Sequence, residues 1–228
     1  MIDVSDLVPE AQPIIQAATE VLVRHTRPWL VGVMAHGSAY KGGFIPGCSD
    51  VDLQLYLDQS TFADDGQLPL DLCITIQRDL ARIEPAPFGY IQVRALSSVA
   101  NPDWLGPIPG AYAVLVGKMP LAEATEQQLH DSARTALNQL RPVPHYLPGG
   151  LLDSGAGRLA RQTRWLCTDV WPTLYQVLTI RTGDALGVWR LPKEQVIALL
   201  PGDEPLGGTI RVFYAAGRSS QHEIPPTS

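Results

Sequence analysis

Val33-Met34-Ala35-His36-Gly37-Ser38 and, after eleven intervening residues, Asp50-Val51-Asp52-Leu53 decide how this chain is read. The first stretch belongs to an apolar run, Leu30 to Ala35, that stops at His36-Gly37-Ser38. A loop containing Gly42-Gly43 and Pro46-Gly47 follows, and Asp50 to Leu57 then alternates. Asp50, Asp52, Gln54 and Tyr56 fall on one face and Val51, Leu53, Leu55 and Leu57 on the other, the two-residue period of a half-buried strand. Two carboxylates held close on one face repel each other unless a cation lies between them. Oxygen-only ligands on a rigid strand suit Mg²⁺, which keeps waters and takes further ligands from substrate phosphates. Gly37 lets the backbone approach a phosphate, and Ser38 adds a hydroxyl donor. A helix starting after Ser38 would turn its first N–H groups toward an anion. The plainer reading makes Ser38 a helix N-cap and the two acids a solvated strand face.

Outward from this segment, Ala11 to His25 carries a helical stripe of Ile14, Ile15, Ala18, Val21 and Leu22. Leu70 to Ile83 reads as a second helix, and Tyr90 to Leu96 and Ala111 to Val116 as two more strands. The composition changes after Pro120. Leu121 to Leu140 reads as a helix, and Arg141 to Gly150, with three prolines, as a linker. Beyond it Arg158 to Thr182, bent or divided near Pro172, Lys193 to Leu200 and Thr209 to Arg218 read as helical, before a polar tail from Gln221. The expected fold class is therefore α+β. An α/β core with a small mixed sheet and helices on one side spans 1–120, and an all-helical domain spans 121–228.

Composition narrows the function classes. Hydrophobic residues make up 45% of the 228 and charged residues 18%, enough apolar side chain to exclude disorder as the main state. The net charge of −6 provides no broad basic footprint, so neither nucleic acid nor an anionic membrane surface is an expected partner. Cys48, Cys73 and Cys167 are odd in number and lack metal-ligand spacing, which argues against a disulfide framework or zinc ribbon and for a reducing compartment. Met1 to Glu10 lacks the basic start of a signal peptide, and Trp29 to Ala35 is too short to span a bilayer. A cytoplasmic location is expected. No Walker A, G-x-S-x-G, G-x-G-x-x-G or H-E-x-x-H pattern occurs.

The strand ending in Gly37-Ser38, the eleven-residue spacer and Asp50-Val51-Asp52-Leu53 together resemble the nucleotidyltransferase superfamily of the DNA polymerase β type. The resemblance covers Leu30 to Leu57 locally and, by element order, reaches about residue 118. It implies Mg²⁺-dependent transfer of a nucleoside monophosphate, AMP from ATP, to a hydroxyl acceptor, with release of pyrophosphate. Asp50 and Asp52 would be the catalytic, metal-holding pair. Gly37 and Ser38 would bind the β and γ phosphates, and Lys41 lies in the loop where relatives carry a basic residue. Thr182-Gly183-Asp184 followed by Leu191-Pro192-Lys193 and an amphipathic run is similar to the helical domain of bacterial aminoglycoside adenylyltransferases. That similarity implies that Lys193 reaches ATP phosphate and that the acceptor is an antibiotic-like small molecule. A phosphate-binding arginine of that family is replaced near Tyr175, with Arg161 and Arg164 as the nearest substitutes. Trp165, Trp171, Tyr175 and Trp189 otherwise read as helical core.

One departure stands out. The family's third carboxylate comes from the next strand, and here that strand shows Tyr90, Gln92 and Arg94 on its polar face. Gln92 and Arg94 read either as a solvated strand face or, for Arg94, as a group that touches phosphate or neutralises the acid pair. Glu84 and Asp103, on either side of the strand, are the nearest replacement acids. Two further readings therefore accompany the first: a degenerate, non-catalytic nucleotide-binding protein, and a regulatory, antitoxin-type protein that acts on a partner protein.

Overall fold

The computed structural model describes residues 2–99, 104–140, 152, 166 and 168–219. The chain divides into two compact units, Met1–Ala124 and Thr125–Ser228. The first is an α+β unit. Helix α1 (Gln12–Thr26) leads into strand β1 (Leu30–His36), a single turn α2 (Ser38–Lys41), and strand β2 (Val51–Leu57). Helix α3 (Leu70–Leu80), strand β3 (Ile91–Ser97) and strand β4 (Tyr112–Gly117) complete it.

The four strands form one mixed sheet in the order β3-β2-β1-β4. β1 pairs antiparallel with both β2 and β4, whereas β2 pairs parallel with β3. A parallel neighbour needs a crossover, and α3 supplies it between β2 and β3. The apolar face of the alternating strands packs on the helices. Val33, Ala35, Val51, Leu53, Leu55, Leu57, Ala113 and Leu115 share a core with Ile14, Ile15, Ala18 and Leu22 of α1 and Ile76 and Leu80 of α3. Leu53 and Leu55 are each 1% exposed, so truncating either to Ala removes about 2–5 kcal/mol of stability. At the far end of the helices, Asp79 of α3 receives His25 Nε2 at 2.8 Å and Arg82 at 2.8 Å, with Arg24 at 3.5 Å. The covered face leaves the opposite, polar face of the sheet to carry chemistry.

The second unit is helical. It contains α4 (Glu126–Asn138), α5 (described over 168–182), α6 (Ala185–Arg190), α7 (Lys193–Ala198) and α8 (Pro205–Ser219). Several boundaries differ from the sequence expectation. α4 begins at Glu126, not at Leu121, because Thr125 closes a capping box: its hydroxyl accepts from Gln128 N, and the Gln128 amide oxygen accepts from Thr125 N. Residues 121–124 stay with the first unit, where Ala124 is buried and its N–H bonds Pro107 O at 2.9 Å. α5 is continuous through Pro172. α6 was not expected; Asp184 starts it by accepting from Gly187 N at 2.8 Å. The linker 141–150 and the tail from Gln221 lie outside the described residues.

Candidate functional site

Register builds the site. His36 of β1 lies opposite Asp52 of β2 on one side and Tyr112 of β4 on the other, and Asp52 lies beside Gln92 of β3. Directly paired residues point to the same face of a sheet. One polar residue from each strand, Gln92, Asp52, His36 and Tyr112, therefore forms a row across all four strands on the face turned away from α1 and α3. Arg94, Gln54, Met34 and Val114 form the next row.

Gly37 sits at the end of β1 with φ 69° and ψ −148°, a conformation that only glycine adopts readily. A Cβ built there would collide with Oδ2 of Asp52. The glycine thus does two things: it turns the chain at the strand end, and it lets the Asp52 carboxylate lie directly against the backbone. Ser38 is buried and opens α2, and Gly37 occupies the cap position with no side-chain cap bond. The N-cap expected at Ser38 is therefore one residue too late. The helix expected to follow is only one turn, since Gly42 at φ 81° ends it. The N–H groups of Tyr40 and Lys41 both turn back to Gly37 O, at 3.3 and 3.0 Å. So short a helix adds little dipole at the turn.

Asp50 stands one residue before β2. The Tyr90 hydroxyl donates to Asp50 Oδ2 at 2.9 Å and lies 3.4 Å from Gln92 Oε1. A phenol has one proton to donate, so with Asp50 taking it, the Gln92 amide satisfies the same oxygen best by turning its NH₂ inward. The first three groups of the site, Asp50, Tyr90 and Gln92, are in this way tied to one another, with Asp52 next to Gln92. Among the described residues, no group of three or more His, Cys, Asp or Glu side chains gathers to hold a metal. The anionic donors there are the carboxylates of Asp50, which accepts from the Tyr90 hydroxyl, and Asp52. Such a set fits one hard divalent cation that takes its other ligands from phosphate and water, and it does not fit two.

Arg94 has a partner on this chain that the sequence did not suggest. It stands in register with Gln54, one row from Asp52, and its guanidinium lies over the Trp104 ring at 3.9 Å from the centroid. An arginine stacked this way is held by the ring face. Nothing in the sequence pattern links Trp104 to that strand. Glu84 folds onto its own loop, accepting from Ala86 N at 3.2 Å. Asp103 lies outside the described residues.

Beyond Asp52 the polar face continues. The Tyr56 hydroxyl donates to Gln54 Oε1 at 2.6 Å, and Gln54 Nε2 lies 3.4 Å from His36 Nε2. That order makes Gln54 the donor to an unprotonated Nε2. Burial pushes the His36 pKa down to about 4, and the nearby Lys41 charge pushes the same way, so the imidazole is neutral at pH 7. Burial and then Tyr112 raise Tyr56 to about 12. Tyr112 donates to Glu123 Oε1 at 2.9 Å. The Tyr112–Glu123 pair was not foreseen from the sequence, because Glu123 follows the last strand in a stretch without periodicity.

Lys193 opens α7 in the helical unit, with Nζ 5.8 Å from the centroid of Trp171. Trp171 and Tyr175 are buried. The Tyr175 hydroxyl donates to Leu191 O at 2.6 Å, and its ring lies 5.1 Å from that of Trp189. These aromatics pack the interior of the unit. Arg161, Arg164 and Trp165 lie outside the described residues. No helix among the described residues is long and apolar enough to cross a membrane.

No protein-family model matches the chain, and no curated protein matches it.

Proposed function

We propose that the chain is a Mg²⁺-dependent nucleotidyltransferase that moves AMP from ATP to a hydroxyl of a small-molecule or protein acceptor. The observation that carries this reading is the fit of Gly37 against Asp52. A strand end that requires glycine because the Asp52 carboxylate lies against it supports the reading of Gly37 and Asp52 as parts of one site. Asp50 and Asp52 would hold Mg²⁺, with the neutral Gln92 amide beside Asp52, and the ion would neutralise the triphosphate. Gly37 and Ser38 would receive the β and γ phosphates, and Lys41 would add positive charge.

The amide of Gln92 beside Asp52 favours a second reading, a protein that binds Mg-nucleotide without transferring it. An amide orients water but takes no proton at neutral pH. Calorimetry with Mg-ATP tests the shared part of both readings. Wild type should bind with Mg²⁺-dependent affinity, and Asp50→Asn/Asp52→Asn should lose that dependence. Equal affinity in the two proteins, with and without Mg²⁺, would remove the metal site. Pyrophosphate release then separates transfer from binding alone.

A further inference from the structure

The outer edge of β3 and the flank of α3 beside it carry features that the candidate site does not use. Val51 N donates to Tyr90 O at one end of the β2–β3 ladder, and Ser98 N donates to Leu57 O at the other. Between those ends the parallel pairing turns the backbone groups of Gln92, Arg94 and Leu96 toward β2. Ile91, Val93 and Ala95 therefore turn their N–H and C=O groups outward, and among the described residues none of these groups has a partner. Such an open row is a template for one more strand.

The flank of α3 lies along the same edge. Asp79 looks from one side of the helix toward His25 of α1. At about 100° per residue, Leu70, Cys73, Gln77 and Ala81 fall on the other side. There Gln77 and Ala81 line a small cavity with Ile83, Pro85 and Ile91, at the start of β3. Leu70 is 73% exposed on this flank, and Val99, just past the end of β3, is 61% exposed. The edge thus has an apolar cavity at its start and an exposed apolar side chain at its end. Antiparallel pairing of two identical strands brings start and end together twice, by symmetry. With the two-fold axis at Ala95, Val93 lies opposite Ser97 of the second copy, Ile91 opposite Val99, and Arg94 opposite Leu96. An axis at Arg94 would instead set two like charges against each other. The axis runs perpendicular to the sheet, so both copies keep their helices on one face and the α3 flanks meet. A strip about 30 Å long that includes the sheet edge and the helix layer covers about 600 Å² on each copy, the lower bound for a specific interface.

We propose that the β3 edge docks a second copy of this chain, β3 antiparallel to β3 about a two-fold axis at Ala95. The two four-stranded sheets then continue into one of eight, and Val99 of each copy meets the cavity at the start of the other strand.

The experiment uses the full chain. Sedimentation velocity over about 1–100 μM should show a dimer that dissociates on dilution. Leu70→Lys, at an exposed position, should weaken that dimer at least tenfold and leave the urea midpoint of the monomer unchanged. Ala95→Pro removes an N–H that bonds nothing within the chain, so it should abolish the dimer and keep the circular dichroism spectrum. In a Cys73→Ser background, Ala95→Cys should link two chains on mild oxidation, because paired Cα atoms on the axis lie about 5.5 Å apart. Val93→Cys, about 14 Å from its counterpart, should not link. A chain that is monomeric throughout the range overturns the proposal and leaves the edge to a strand of another protein. A dimer indifferent to Leu70→Lys, or one linked through Val93→Cys in preference to Ala95→Cys, overturns it as well. Should Ala95→Pro fail to fold, Leu70→Lys and the two cysteine variants decide.

Discussion

Gly37→Ala and Gly42→Ala form a matched pair that isolates the role of Asp52. Both glycines flank α2, with φ 69° and ψ −148° at Gly37 and φ 81° and ψ −170° at Gly42. Alanine in this region costs about 1–3 kcal/mol, offset by about 0.4–1 kcal/mol from the stiffer unfolded chain. The net loss from the backbone is about 1–2 kcal/mol at either position, or a few degrees of Tm in a chain of this size. The surroundings differ. A Cβ at Gly42 meets only Val8 Cγ1, at 3.9 Å, which is ordinary contact, whereas a Cβ at Gly37 must displace the Asp52 carboxylate. Urea denaturation should therefore show comparable losses, with Gly37→Ala somewhat the worse. Calorimetry should show Mg²⁺-dependent binding of an ATP analogue kept in Gly42→Ala and reduced at least tenfold in Gly37→Ala. Equal binding by the two variants would refute the idea that the glycine serves the carboxylate. Wild-type stability in both would refute the backbone strain on which the comparison rests.

Gln92→Asp should add a second ion to the site; a metal titration in the presence of the ATP analogue that still finds one ion would show that the side chain beside Asp52 does not reach it. Asp79 is held below its ordinary pKa chiefly by the His25 hydrogen bond, then by the Arg82, His25 and Arg24 charges. A depressed carboxylate stabilises the fold above its unfolded pKa, near 3.9, and loses that contribution as pH falls through the folded value. Asp79→Asn should therefore lose less stability than wild type when urea curves at about pH 5 are compared with those at about pH 3; identical losses would exclude the cluster. Thr125→Ala should cost about 1 kcal/mol by removing the α4 cap, read from the urea midpoint, with Thr125→Ser close to wild type.

Much of the first unit was legible because its signals are local. The alternation in Asp50 to Leu57 placed the core face and the acid face correctly, and the apolar stripe of α1 marked its buried side. Leu70 was named as the start of α3, where the structure also begins it. The helical character of the second half was legible for the same reason, while its caps were not fully used. Thr125-x-x-Gln128 is a readable signature, yet the helical composition running back to Leu121 obscured it. Of the candidate site, the sequence suggests only the contiguous part. Gly37, Ser38, Asp50 and Asp52 lie within one strand-loop-strand unit, so spacing exposes them. The stacking of Arg94 on Trp104 and the tether of Glu123 to Tyr112 depend on where separate segments meet, and no periodicity in either segment records that. The position of Gln92 beside Asp52 lay between these cases: the strand was visible, and its pairing partner was a choice among few.

The row across the sheet has a consequence for folding quality. Its four members come from four strands and owe their alignment to register alone. β3 is an edge strand, held by hydrogen bonds on one side only. A slip of one residue there would bring Ile91 or Val93 to Asp52 and turn Gln92 toward the helices. Such a molecule would keep its secondary structure, its size and most of its core, and circular dichroism would pass it as native. It would differ in the one feature that the proposed site draws from β3, the amide beside Asp52, which apolar Ile91 or Val93 would replace.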